Sequence, residues 1–465
     1  MSRNNASRPA PSRRAFLRGA LAAGGLGLSA APLTRLFARS MASRVVPGYG
    51  PLRPVADEVT GLELLSLPEG FRYRSFSWAG EALADGTPCP GRHDGMGVVA
   101  VEGEVVTLVR NHEQTALTGA FGHAECHYDP ACSGGTTTLR YDLAKGEVVE
   151  AWASLSGTMQ NCAGGVTPWN SWLSCEEFVV NAGALPDSAP ARFERDHGFV
   201  FEVPASGRSK AVALRDMGQF RHEAASVHAP SGDVYLTEDL EPSAGFYRFV
   251  PREPGRLQAG GALYMLRARG HRDLRTGLRP GQRLAVEWVP IEHPDRGFDA
   301  QRKSISGVHD QGLAAGASRF TRLEGCIATD QGVYFTATNG GDEAAGQVFC
   351  YHPESQELSL VFESSPDSML HYPDNVCLSP RGGLVICQDS PERVQHLHGL
   401  TPDGGLFRFA GNQARLDGFR GFTGDFSGAE WAGACFSPDG RWLFANLYAP
   451  GISVAITGPW QEGLI

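Results

Sequence analysis

Cys162 stands fifteen residues before Glu177 in the stretch GTMQNCAGGVTPWNSWLSCEE, which also carries Asn161, a glycine pair, two tryptophans and a second acid, Glu176. A thiolate and carboxylates gathered in one place are metal ligands, because crowded carboxylates repel until a cation compensates them. All-oxygen sets suit calcium or magnesium, whereas a thiolate among them suits a softer ion, iron or zinc. The spacing recurs. Glu223 lies fifteen residues before Glu238, Glu324 fifteen before Asn339 and Asp374 fifteen before Asp389. Glu430 lies sixteen before Asn446 and Asp94 nineteen before Glu113. The competing readings are a buried small cysteine at 162 and solvated turn residues elsewhere; six matched units weigh against the second.

Pairs that repeat need a repeated element to position them. Each second member sits at the end of a run rich in Val, Leu, Ile, Phe, Tyr or Trp, with turn residues in front: EGEVVTLVRNHE, GGVTPWNSWLSCEE, SGDVYLTED, DQGVYFTATNGG, RGGLVICQD and DGRWLFANL. Such runs are strands by composition, and fifteen residues accommodate two short strands and a tight turn. The start of the first strand then lies beside the end of the second, so each hairpin brings two polar groups to one edge. Six hairpins predict an all-β fold, a six-bladed β-propeller with inserted loops and short helices. The first strand of each blade would line the axis, and the polar ends would ring one mouth of the channel. Residues 43–465 are expected to form a single domain, with about 251–317 interrupting the period as an insertion.

One cation stands out near this ring. Arg322 precedes Glu324 by two residues, and lysine is confined to Lys145, Lys210 and Lys303. An always-charged guanidinium beside metals suits a phosphate oxyanion, although it could equally pair with a carboxylate. His112 and His222 directly precede Glu113 and Glu223, and neighbours in a strand face opposite ways, so both histidines are expected in blade packing. The chain has no G-x-S-x-G elbow, P-loop or dinucleotide fingerprint, which leaves metal-assisted hydrolysis as its enzyme chemistry.

The first 42 residues read as an export signal. Arg13 and Arg14 precede Phe16, Leu17 and an apolar run from Ala20 to Leu33, too short and glycine-rich for a comfortable membrane span. This is the twin-arginine pattern, and cleavage after Ala42 fits the small residues there. The formal charge of the whole chain is −10. Without the signal it becomes about −17, which argues against a nucleic-acid partner. The ten cysteines form no CxxC pair; Cys126 and Cys132 are the nearest candidates for a disulfide, and several others sit in apolar runs as buried small residues.

The segments NCAGGVTPWNSWLSCEE, RHEA, TEDLEPSAGFYRFVP, RLEG, PDNVCLSPRGGLVICQD and EWAGACFSPDGRWLFANLYAPGISVAITGPW occur here in the order in which they resemble the PhoX-type alkaline phosphatases. The resemblance runs from about Asp94 to Trp460. It implies an exported, iron- and calcium-dependent phosphomonoesterase with small phosphorylated substrates, delivered by the twin-arginine machinery to the periplasm or beyond, with no membrane span in the mature chain. By the same resemblance Cys162 would be the iron-bridging thiolate, and Asp94, Glu113 and Glu223 candidates for the same or neighbouring metals. Glu176, Glu238, Glu324, Asp374, Asp389 and Glu430 would be further metal ligands or their supports. Arg322 would hold the phosphate, with Asn161 beside the thiolate in the catalytic set. Two alternatives stay open: a lactonase-like propeller hydrolase that works with one calcium, and an exported propeller that binds a partner at its rim.

Overall fold

A computed structural model describes residues 44–183, 192–299, 304–330 and 332–465. The expected signal at 1–42 lies outside these residues. Six inner strands pack side by side around one axis: His93–Glu102, Asn161–Val166, His222–His228, Leu323–Ala328, Pro373–Leu378 and Trp431–Phe436. Each touches the next, and the sixth touches the first, so the ring closes. Each pairs antiparallel with the strand that follows it, respectively Val105–His112, Ser171–Glu176, Asp233–Glu238, Val333–Ala337, Leu384–Gln388 and Leu443–Leu447. These are the six hairpins marked by the sequence, and the fold is a six-bladed propeller.

The outer strands differ from blade to blade. Among the described residues the second blade adds only Val200–Pro204 and stops at three strands. The third continues through Phe246–Pro251, Gly261–Ala268 and Arg283–Pro290, and the last of these pairs with Glu357–Glu363 of the fourth. Two blades thereby merge into one nine-stranded sheet. The stretch that breaks the hairpin period thus carries added strands and then the helix Gly307–Ala314. The sixth blade takes its outer strand, Arg72–Phe76, from the N-terminal side of the chain, where it pairs with Ile452–Thr457. Early and late segments therefore share a blade, which locks the circle and covers an edge that would otherwise lie open.

Apolar side chains between blades form the core. Between the third and fourth blades the Phe335 ring stacks on Phe246 at 4.0 Å and on Phe349 at 5.3 Å. All ten cysteines are free thiols. Cys126 and Cys132 do not join: the Cys126 thiol donates to the His123 carbonyl at 3.1 Å, and Cys132 faces His197. No helix among the described residues is long and apolar enough to cross a membrane.

Candidate metal centre

The mouth is built by one backbone device used six times. The amide N–H groups of Glu113, Glu177, Asp239, Thr338, Asp389 and Tyr448 donate to the carbonyls of Arg92, Gln160, Arg221, Arg322, Tyr372 and Glu430, respectively, at 2.9–3.2 Å. Just inside that bond every hairpin slips register. Such a bulge re-aims a side chain. Here it presents Asp94, Cys162, Glu223, Glu324 and Asp374, each two residues past the carbonyl. In the sixth blade that position is Ala432, and Glu430 reaches the ring from the place that holds an Arg, Gln or Tyr elsewhere.

Packing this tight allows little behind each ligand. Gly95, Ala163, Ala224 and Gly325 each follow one. A Cβ on Gly95 would meet the Ala163 Cα at 2.5 Å, and one on Gly325 would meet the Val376 nitrogen at 2.6 Å. The glycine pair after Cys162 has the same cause. A Cβ on Gly164 would sit 1.9 Å from the Leu173 carbonyl oxygen, and one on Gly165 1.7 Å from that of Ala225 in the next blade. Trp172 completes the motif: its indole N–H donates to the Asn111 side-chain oxygen at 3.0 Å, while the Asn111 amide donates to the carbonyls of Cys162 and Ala163 at 3.0 and 2.7 Å.

The Asn111 bond is one of a series between blades. Thr237 donates to the Glu324 carbonyl at 2.6 Å, Thr336 to that of Asp374 at 2.7 Å and Asn446 to that of Asp94 at 2.6 Å. In four of six blades, then, the second strand holds the backbone of the next ligand. Cys175 and Cys387 occupy the equivalent positions in the other two, both fully buried.

The candidate ligand atoms form a continuous arc. Glu113, Cys162 and Glu177 approach within 4.8 Å of one another, as do Asp94, Glu113 and Glu430, then Asp374, Asp389 and Glu430, then Glu223, Glu324 and Asp374. Eight carboxylates and one thiol from all six blades thus converge on the axis. The Cys162 thiol lies 3.6 Å from Asp94 Oδ2. Burial and the charges of Glu113 and Asp374 push Asp94 well above the ordinary carboxylate range. Burial and Glu324 do the same to Glu223, and burial and Asp389 push Asp374 up to about 8. Both Glu223 carboxylate oxygens are buried without a hydrogen-bond partner among the described residues. Buried carboxyl oxygens without a partner, set among a thiol and other carboxyls, are a donor set that fits metal cations.

Arg221 and Arg322 each set a guanidinium against acids of this mouth. Arg322 donates from Nε to Asp239 Oδ1 at 3.1 Å and from Nη2 to Glu324 Oε1 at 2.8 Å. Burial alone would lower its pKa, but Glu324 and Asp239 outweigh it and raise it. Arg221, at the matching position of the third blade, pairs with Glu177. Both side chains keep 31% exposure, so each is partly open to solvent. The Tyr448 hydroxyl donates to Glu113.

Three residues expected at the mouth are not brought there. Glu176 points away from the axis: its oxygens accept from the N–H groups of Met159, Gly198 and Phe199 and from His197. Glu238 also turns outward, to the Gly245 N–H and the Tyr247 hydroxyl, both at 2.8 Å. Asn161 donates to the Ser174 hydroxyl at 2.9 Å and accepts from Thr158, inside its own blade. In the first two cases the neighbouring acid, Glu177 or Asp239, takes the mouth position. His112 and His222 pack within their blades, bonded to Gly91 and Gly218 carbonyls.

A metal-binding β-propeller of this kind is the class that fold and site define. The sequence matches the family profile of alkaline phosphatase PhoX over residues 47–147 and 140–451, and the chain belongs to that family. Comparison with curated proteins gave no match. Among solved structures, hydrazine synthase of Kuenenia stuttgartiensis is similar at 13% identity over 78% of this chain and 95% of its own, with a TM-score of 0.35. The periplasmic gluconolactonase of Pseudomonas aeruginosa is similar at 13% identity over 70% of this chain and 74% of its own, with a TM-score of 0.34.

Proposed function

We propose that the protein hydrolyses phosphate monoesters outside the cytoplasm and releases inorganic phosphate in a metal-dependent reaction. The observation that carries this reading is the arc of carboxylates and one thiol with Arg221 and Arg322 at its rim, in a chain of the PhoX family. Cys162 with Asp94, Glu113 and Glu177 around it suits iron, since a thiolate favours the softer ion. Glu223, Glu324, Asp374, Asp389 and Glu430 offer only oxygen and suit calcium. When bound, such ions neutralise phosphoryl charge and supply an activated water.

The side chains do the rest. Asp239 and Glu324 hold the Arg322 guanidinium in place before substrate arrives, so little order remains to be created on binding. Arg221, anchored on Glu177, flanks the same opening. Together they would orient a dianionic phosphate through its non-bridging oxygens. Tyr448 fixes Glu113 by its hydroxyl bond. Export by the twin-arginine machinery to the periplasm or beyond follows from Arg13, Arg14 and the apolar run behind them, and residues 43–465 would act as one catalytic unit. The test is to offer metal-loaded protein p-nitrophenyl phosphate and, in parallel, a sugar lactone. Phosphate release that disappears on chelation supports the reading. Lactone opening with the ester left intact contradicts it.

A further inference from the structure

Asp129, Cys132 and His197 form a second cluster, fully buried and separate from the arc of ligands. We propose that this cluster is a structural zinc site, an inference that does not depend on the phosphatase reading. The distances carry it. A tetrahedral zinc with bonds of about 2.0 Å to nitrogen and oxygen and about 2.3 Å to sulfur sets its N and O ligands roughly 3.3 Å apart and its N and S ligands roughly 3.5 Å apart. His197 Nε2 lies 3.3 Å from Asp129 Oδ2 and 3.5 Å from Cys132 Sγ. For a charged N–H···O pair in a dry core the first of these is long; such bonds run at about 2.7–2.9 Å. The opposite side of the same imidazole makes a short bond of that type, from Nδ1 to Glu176 Oε1 at 2.6 Å.

Glu176 explains the orientation. It accepts from the N–H groups of Met159, Gly198 and Phe199 at 2.9, 2.9 and 3.1 Å, so it is a fixed carboxylate that cannot itself donate to the ring. Nδ1 must carry a proton, and Nε2 is the nitrogen that faces Asp129 and Cys132, where an ion would take the place of its proton. A carboxylate on the far nitrogen is the usual support of a metal-bound histidine. Asp129 is held in turn by the N–H groups of Ala131, Glu194 and Arg195 at 3.0, 2.7 and 3.1 Å. Met159, Val180 and Phe193 close an apolar shell around the thiol. Zinc binding would release the Cys132 thiol proton and the His197 Nε2 proton to solvent.

The site sits where the fold needs a brace. The second blade has three strands among the described residues, and its segment at 194–199 is tied to the loop at 129–132 through these groups. Glu176, which holds His197, is the neighbour of Glu177 in the arc, so an ion here would stiffen one of the walls that carry the ring.

The experiment is zinc K-edge X-ray absorption on the full-length protein, as purified and after addition of Zn²⁺, with Co²⁺ substitution as an optical check. The expected result is one zinc per chain with one imidazole and one sulfur in its shell. The arc offers carboxylates and Cys162 but no histidine, so an imidazole signal separates this site from it. Cys132→Ser and His197→Gln should each lose that zinc and lower the melting temperature while the metal content of the arc is unchanged. The wild-type spectrum decides the matter even if a variant fails to fold. Wild-type protein that takes up no zinc or cobalt with an imidazole ligand would overturn the proposal and leave His197 as a metal-free imidazolium between Glu176 and Asp129.

Discussion

Arg322 and Cys162 share one mouth but should fail differently when changed. Arg322→Ala removes oriented donors from the rim and no ligand from the arc. Hydrolysis of p-nitrophenyl phosphate should slow by about 10²–10³-fold with metal content unchanged; undiminished turnover would show that Arg322 serves only its pairs with Asp239 and Glu324. Cys162→Ser should lose iron together with activity, because a hydroxyl is a poor soft ligand, and elemental analysis checks it. The convergence of these acids and the thiol on one mouth was legible in the sequence because types and spacing recur. Asp94, Glu113, Cys162, Glu223, Glu324, Asp374, Asp389 and Glu430 all reach the arc. Glu176 and Glu238 turn away from the mouth because a bulge adds a residue that counting along a strand cannot see. Arg221 lies within RHEA, and its signal is the position two residues before Glu223, which matches that of Arg322 before Glu324.

At the scale of strands and hairpins, close approach and cross-blade hydrogen bonds hold the ligands, and both can be tested away from the chemistry. Gly165→Val would drive a side chain against the Ala225 carbonyl, where even a Cβ would come within 1.7 Å. Overpacking of this kind costs about 1–3 kcal/mol or more, so the variant should melt well below the wild type or fail to fold. Thr237→Val keeps the shape but removes the donor to the Glu324 carbonyl. An unpaired buried carbonyl costs about 1–3 kcal/mol, so a lower denaturant midpoint is expected, with weaker retention of the ions near Glu324. An unchanged midpoint would show that the cross-blade bond is not part of the support. Composition announced the hairpins. It could not announce that the third and fourth blades merge through Arg283–Pro290 and Glu357–Glu363, because that pairing joins segments far apart in the chain with no turn between them.

For the whole molecule, the arc makes stability depend on pH and on cations together. In the metal-free protein burial and like charges raise Asp374 to about 8 and hold Glu223 and Asp94 well above the usual range. Unfolded carboxyls titrate near roughly 4, so between those values the folded chain binds more protons than the unfolded one. Metal-free protein should therefore lose stability as pH rises from about 4 through about 8, and added calcium should restore it by taking the place of the protons. Melting temperatures across that range, with and without calcium, check the sign. The most direct test of a metal-dependent phosphatase is made on one preparation of wild-type protein. Its ions are removed with a chelator, iron and calcium are returned separately and together, and metal content is read beside p-nitrophenyl phosphate hydrolysis at each stage. Hydrolysis should fall to background as the metals leave and return when both are restored; full turnover by metal-free protein would contradict a catalytic role for the arc.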